Sequence, residues 1–144
     1  KDRLTVLTSL VVWFVMPATQ IYVKSKGELK DNLQTAFSNG KKVVILCEGT
    51  TNPLTGDSWN DECRKVEPLL EPLLASANEN VYFFMVEVGS EDEWKNATNP
   101  FRLDELFSLQ KLPTLLHLDS PTSVKSRLEG EACLKPDALA AYFL

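Results

Sequence analysis

Histidine and cysteine are scarce in this chain of 144 residues, which has one histidine, His117, and three cysteines, Cys47, Cys63 and Cys133. No pair among them has the spacing of zinc ligands, so no metal site is expected. An odd, small number of cysteines does not make a disulfide framework and suits a reducing compartment. Basic residues are outnumbered as well: 15 Lys and Arg stand against 20 Asp and Glu, a net charge of −5. That balance argues against nucleic acid, which demands a basic face, and against an anionic membrane surface. Repeats and low-complexity segments are lacking. What is present is ordinary for one globular domain, with 44% hydrophobic and 24% charged residues, and a chain of this length buries a core without disulfide staples.

The first residues, KDRLTVLTSLVVWFV, start basic and turn apolar from Leu4 to Val15, with Thr5, Thr8 and Ser9 interspersed. The run is shorter than the roughly 20 residues that span a bilayer. Three readings stand side by side: an extraneous stretch upstream of a natural start at Met16, the apolar core of a secretory signal with a poor cleavage site at Met16-Pro17-Ala18, and an additional strand favoured by Val11 to Val15. Residues 1–18 are therefore treated as an extension and residues 19–144 as the domain.

Within the domain, Ile21-Tyr22-Val23 predicts a short strand, and Ser25 to Glu28 has capping-box spacing. Leu29, Leu33 and Phe37 then recur every fourth residue on one helix face, ended by Asn39-Gly40. Val43 to Cys47 is an unbroken apolar run, as in a strand covered on both faces. Glu48 to Ser58 predicts a loop. A helix is expected from about Asn60 to Ala77, with a leucine stripe and a kink at Pro68. Val81 to Val88 predicts a second buried strand, Pro100 to Ser108 a short helix, and Pro113 to Leu118 with Val124 to Leu128 an antiparallel hairpin. Pro136 to Leu144 predicts a closing helix. The order βαβαβαββα implies an α/β fold, a central mixed sheet flanked by helices on both faces.

That order is the thioredoxin arrangement, and the segment Ser58-Trp59-Asn60-Asp61-Glu62-Cys63, followed by Val66-Glu67-Pro68, resembles the active-site segment of the thioredoxin-like Clot family, S-W-C-P-D-C then A/V-E-P. Val86-Glu87-Val88-Gly89 resembles the family's C-Q-V-G. Trp94-Lys95-Asn96 with Asn99-Pro100-Phe101-Arg102 resembles W-K-D…N-D-F-R. Leu112-Pro113-Thr114-Leu115-Leu116 resembles V-P-T-L-L, and Glu131-Ala132-Cys133-Leu134 resembles E-C-L. The resemblance implies a thioredoxin fold, protein-disulfide reductase activity, protein or small disulfide and thiol clients, no cofactor, a monomer and a cytoplasmic location, or the secretory pathway if the extension is a signal.

The motif is degenerate: the family's first cysteine is Asn60, its proline is Asp61, and the next acidic position is Glu62, so the motif reads W-N-D-E-C. Disulfide reduction needs an attacking thiolate and a second thiol that resolves the mixed disulfide. Only the resolving position, Cys63, is left. Asn60 instead suits an N-cap, and Asp61 with Glu62 suits the helix dipole while disfavouring a thiolate at Cys63. Trp59, Asp61, Glu62, Leu112, Pro113 and Thr114 are the expected client-binding positions, with Pro113 cis as in the family and the backbone before it free to pair with an extended peptide. A redox-impaired binding module is therefore set against two alternatives: an oxidoreductase using Cys63 with Cys133 or an external thiol, and a monothiol sensor. His117 reads as a core histidine, Cys47 as a small hydrophobe, Glu91-Asp92-Glu93 as a solvated acidic face, and Asn96-Ala97-Thr98 as a glycosylation sequon relevant only to a secreted chain.

Overall fold

The computed structural model describes residues 18–144. The alternative readings of the first fifteen residues lie outside the described residues. Ala18, set with the extension above, is buried in the domain core and donates its N–H to the Leu74 carbonyl at 3.3 Å.

Among the described residues, five strands form one sheet: β1 (Thr19–Val23), β2 (Lys42–Glu48), β3 (Val81–Glu87), β4 (Thr114–Ser120) and β5 (Ser123–Glu129), in the spatial order β1-β3-β2-β4-β5. β1, β3 and β2 are parallel, β4 is antiparallel to β2, and β5 is antiparallel to β4. Among the described residues the helices are α1 (Lys26–Ser38), α2 (Asp61–Ser76), α3 (Glu91–Lys95), α4 (Pro100–Leu103) and α5 (Pro136–Ala140), with 3-10 turns at Gly130–Leu134 and Ala141–Phe143.

The central strands show why continuous apolar runs suit a sheet covered on both faces. Side chains alternate along a strand. Val43, Ile45, Cys47 and Phe84 enter the core under α1 and the 88–112 segment, whereas Val44, Leu46 and Phe83 enter the core under α2 and the C-terminal turns. Neither face meets water, so neither set is polar. Local signals set the helix ends. The Ser25 hydroxyl accepts from Glu28 N–H at 3.2 Å, and Gly40 takes φ +68 just past α1, a conformation with no side-chain penalty in glycine.

Several boundaries differ from the sequence-based expectation. Glu48, expected to open the loop, is the last residue of β2 and pairs with Glu87 of β3. α2 runs as one helix through Pro68 and also Pro72. The two prolines are four apart and both exposed, so the carbonyls they leave without a donor share the solvent side. The 100–108 helix stops at Leu103 because the Asp104 carboxylate takes the Leu106 and Phe107 N–H groups at 2.9 and 3.1 Å. The acidic run 91–93 is not merely a solvated face: it is the first turn of α3, closed by a capping box between Ser90 and Glu93. The C-terminal segment is a short α-helix between 3-10 turns rather than one helix. The hairpin closes over Pro121-Thr122 alone.

Candidate functional site

The site forms where the loop from β2 meets the start of α2. Asn60 is the N-cap of α2, and its Oδ1 accepts from Cys63 N–H at 2.9 Å. The Asn60 side chain is thus engaged with the backbone of Cys63. Asp61 pairs with Arg64 at 2.7 Å and lies 3.6 Å from Lys65. Arg64 also donates to the Ser58 carbonyl at 2.8 Å, tying the first helical turn back to the loop.

The loop itself is closely held. The Ser58 hydroxyl donates to the Gly49 carbonyl at 2.7 Å and accepts from Asn60 N–H at 3.2 Å. The half-buried Trp59 donates its indole N–H to the Gly89 carbonyl at 2.8 Å. Thr50 and Gly89 exchange bonds at 3.0 Å, and Thr51 donates its hydroxyl to Glu87 at 3.1 Å. Gly49 is required by this packing: a Cβ there would lie 2.6 Å from Cε2 and Nε1 of Trp59. Gly49→Ala is therefore expected to cost about 1–3 kcal/mol by overpacking and to shift the Trp59 indole resonance. Denaturant unfolding together with the indole NMR signal checks this.

Cys63 is fully buried. Burial pushes its thiol up to about 12, with Glu48 and Glu67 acting in the same direction and the Gly49 backbone and Ser58 hydroxyl acting against it. The carboxylates that act on Cys63 are thus Glu48 and Glu67, not the sequence neighbours Asp61 and Glu62. Cys133 is also buried, and burial pushes its thiol up to about 11. Its Sγ lies 3.3 Å from the Leu128 carbonyl and 3.6 Å from that of Pro113. Cys63 and Cys133 belong to the two separate apolar cores, and all three cysteines are free. Cys47 packs among apolar side chains, and burial raises its thiol further still.

The Leu112–Pro113 peptide bond is cis. Thr114, directly after it, pairs with Cys47 of β2. Leu112 shares the core of Cys63, and Leu112 with Lys111 lines a groove of about 530 Å³ that Glu62 and Gly130 also line. The structure therefore brings the 111–113 turn beside the start of α2. Leu112, Pro113 and Thr114 are all buried, so what this turn presents outward is backbone. The Pro113 carbonyl is taken by Gly130 N–H at 2.7 Å and the Lys111 carbonyl by the Thr114 hydroxyl at 2.7 Å. The Leu112 N–H and carbonyl have no partner among the described residues. His117 lies elsewhere, half-buried on β4 with its ring edge-on to Tyr142 at 6.4 Å, and burial with Lys42 and Lys125 lowers its pKa.

Residues 22–144 match the family model described as "Thioredoxin domain-containing protein 17-like, thioredoxin domain". The chain belongs to this Clot/thioredoxin domain-containing protein 17 family. "Thioredoxin-like protein Clot" of Arabidopsis thaliana is 35% identical over 111 residues, covering 77% of this chain and 82% of that protein. "Thioredoxin domain-containing protein 17" of Danio rerio is 32% identical over 104 residues, covering 72% and 79%. Among solved structures, a poplar thioredoxin h superposes with a TM-score of 0.60 at 15% identity, covering 85% of this chain and 92% of that one. Thioredoxin NaTrxh of Nicotiana alata gives 0.59 at 21%, covering 88% and 90%. These likenesses establish the thioredoxin fold. In this Clot-family domain, the cysteine-bearing start of α2, capped by Asn60, lies beside the cis-proline turn. Glu48, Gly49, Ser58, Arg64 and Glu67 complete the site. None is marked as a site residue by the sequence, although Ser58 and Glu67 fall within the motif matches.

Proposed function

We propose that this thioredoxin-like domain is a redox-impaired module that binds protein clients or partners through the surface around Trp59 and the 111–113 turn, in a reducing compartment. The observation that carries the reading is the state of the two motif positions. Asn60 caps α2 through the Cys63 N–H, and Cys63 is fully buried with a thiol pushed up to about 12. Attack on a disulfide needs an accessible thiolate, and resolution needs a second thiol nearby. Support for binding comes from the Leu112 backbone groups, which have no partner among the described residues and lie beside a groove, suited to an extended peptide that adds as a strand. In this reading Asp61 and Glu62 flank the bound segment. The separate cores of Cys63 and Cys133 weigh against a redox pair between them.

Two measurements on the parent protein test this. Reduction of a small aromatic disulfide, with excess chemical reductant, is expected to proceed no faster than the reductant alone. Titration of a thiol-blocked, unstructured peptide is expected to shift the Leu112 amide and Trp59 indole resonances equally in the parent and in Cys63→Ala. Turnover above the reductant background, or rapid alkylation of Cys63 in the folded protein, would overturn the redox-impaired reading.

A further inference from the structure

The groove beside the 111–113 turn is lined from three places in the chain: Glu62 in the first turn of α2, Lys111 and Leu112 before the cis bond, and Glu129 to Ala132 at the end of β5 and in the turn after it. Its charges are unbalanced. Glu62, Glu129 and Glu131 stand against Lys111. Glu129 is paired with Arg127 at 3.2 Å. Among the described residues, neither Glu62 nor Glu131 has a cation within 4.0 Å, and Lys111 has no carboxylate within that distance. The Lys111 stem lies instead against Gly130, where a Cβ would stand 3.4 Å from Lys111 Cδ.

Acidic side chains are common on a chain of net charge −5. What sets these apart is the backbone beside them. Leu112 is 5% exposed, and its N–H and carbonyl have no partner among the described residues. Buried backbone groups are nearly always paired, so these two point to a ligand that brings both a donor and an acceptor, as an extended peptide does. Side chains of an extended segment alternate, and every second one faces the same way. A segment paired with Leu112 thus carries one side chain over the groove that Leu112 lines.

We propose that this groove selects clients with a basic side chain at that position, arginine above lysine; the proposal rests on the client-binding reading of this surface. Glu62 and Glu131 are the two carboxylates that receive it. The planar fork of arginine reaches two carboxylates at once, whereas a lysine ammonium is a point charge on a flexible stem. Even with Arg127 set against Glu129, the groove holds two carboxylates against the one ammonium of Lys111. An acidic client residue is repelled there. The groove is open to solvent and salt, so the preference is modest, about fivefold in affinity.

Three thiol-free, unstructured peptides that differ only in a central Arg, Gln or Glu test this, with affinity read from the Leu112 amide resonance. The parent is expected to bind the Arg peptide about fivefold more tightly than the Gln peptide and the Glu peptide more weakly than both, with the spread shrinking in high salt. Glu62→Gln and Glu131→Gln are each expected to reduce the Arg preference, Lys111→Gln to increase it, and Glu62→Lys with Glu131→Lys to reverse the order. Glu105→Gln, at an exposed residue outside this groove, is expected to leave the preference unchanged. Equal affinity of the parent for the three peptides would overturn the charge selection while the client-binding reading stands. A loss of preference in Glu105→Gln as large as in Glu62→Gln would trace it to net charge and overturn the role of the groove. If none of the peptides shifts the Leu112 amide, the client-binding reading itself fails, and the selection with it.

Discussion

Asn60→Cys is expected to raise disulfide reduction at least about tenfold over the parent. The substitution restores a thiol at the N-terminus of a sixteen-residue helix, where the dipole and free N–H groups favour a thiolate. Cys63 then stands three residues on as the resolving thiol. The gain is limited for two reasons visible in the structure. The Asp61 carboxylate follows the new nucleophile, although its pairing with Arg64 at 2.7 Å tempers its effect. Burial holds Cys63 as a thiol, with Glu48 and Glu67 acting in the same direction. Adding Asp61→Pro is expected to raise the rate further, because it removes the charge at the first helical position, where proline is well tolerated. Stability moves the other way: loss of the Asn60 cap costs about 1 kcal/mol. The assay is reduction of a small disulfide with excess reductant, comparing parent, single and double variants. A parent that already matches the double variant would mean that Cys63 has a resolving partner other than residue 60.

Asn99→Ala is expected to cost about 3 kcal/mol of stability. Asn99 is 4% exposed and uses both ends of its amide. Its Nδ2 donates to the carbonyls of Val88 and Glu93 at 2.9 and 3.0 Å, and its Oδ1 accepts from Phe101 N–H at 2.9 Å. One side chain thus fastens the end of β3, the body of α3 and the start of α4. Alanine leaves those three backbone groups without their side-chain partner, the Val88 carbonyl and the Phe101 N–H in buried positions. Asn99→Asp separates the contributions: it keeps the acceptor for Phe101 but turns a carboxylate toward two carbonyls, so its loss should be larger at neutral pH than at pH 4. Denaturant midpoints at an unchanged m-value check both variants. A loss below about 0.5 kcal/mol for alanine, the range of ordinary surface changes, would show that the backbone groups find other partners.

The sequence carried most of the fold because its signals are local. Val43 to Cys47 and Val81 to Val86 are apolar without a break, and only a strand buried on both faces tolerates that. The α3 helix was missed, although Ser90 and Glu93 spell its capping box. Three acidic residues in a row suggest solvent, and a five-residue helix has no apolar periodicity to betray it. The ends of α4 and the C-terminal helix were overextended because Asp104 and the 3-10 turns redirect the backbone through hydrogen bonds that spacing does not reveal.

For the site, the sequence by itself determined the chemistry that is lacking: asparagine at residue 60 has no thiol to attack with, wherever it lies. Which charges reach Cys63 was decided by the tertiary structure. Asp61 and Glu62 precede Cys63 directly, but each residue of a helix turns about 100° from the last, so neither shares its face. Glu67, four residues on, does share it. Glu48 arrives from the end of β2, fifteen residues earlier, because the ladder with β3 continues through Glu48↔Glu87 and carries that side chain under the helix. A carboxyl at the end of an apolar run looks in sequence like the first residue of a loop. Only the packing of α2 over β2 makes it a buried acid.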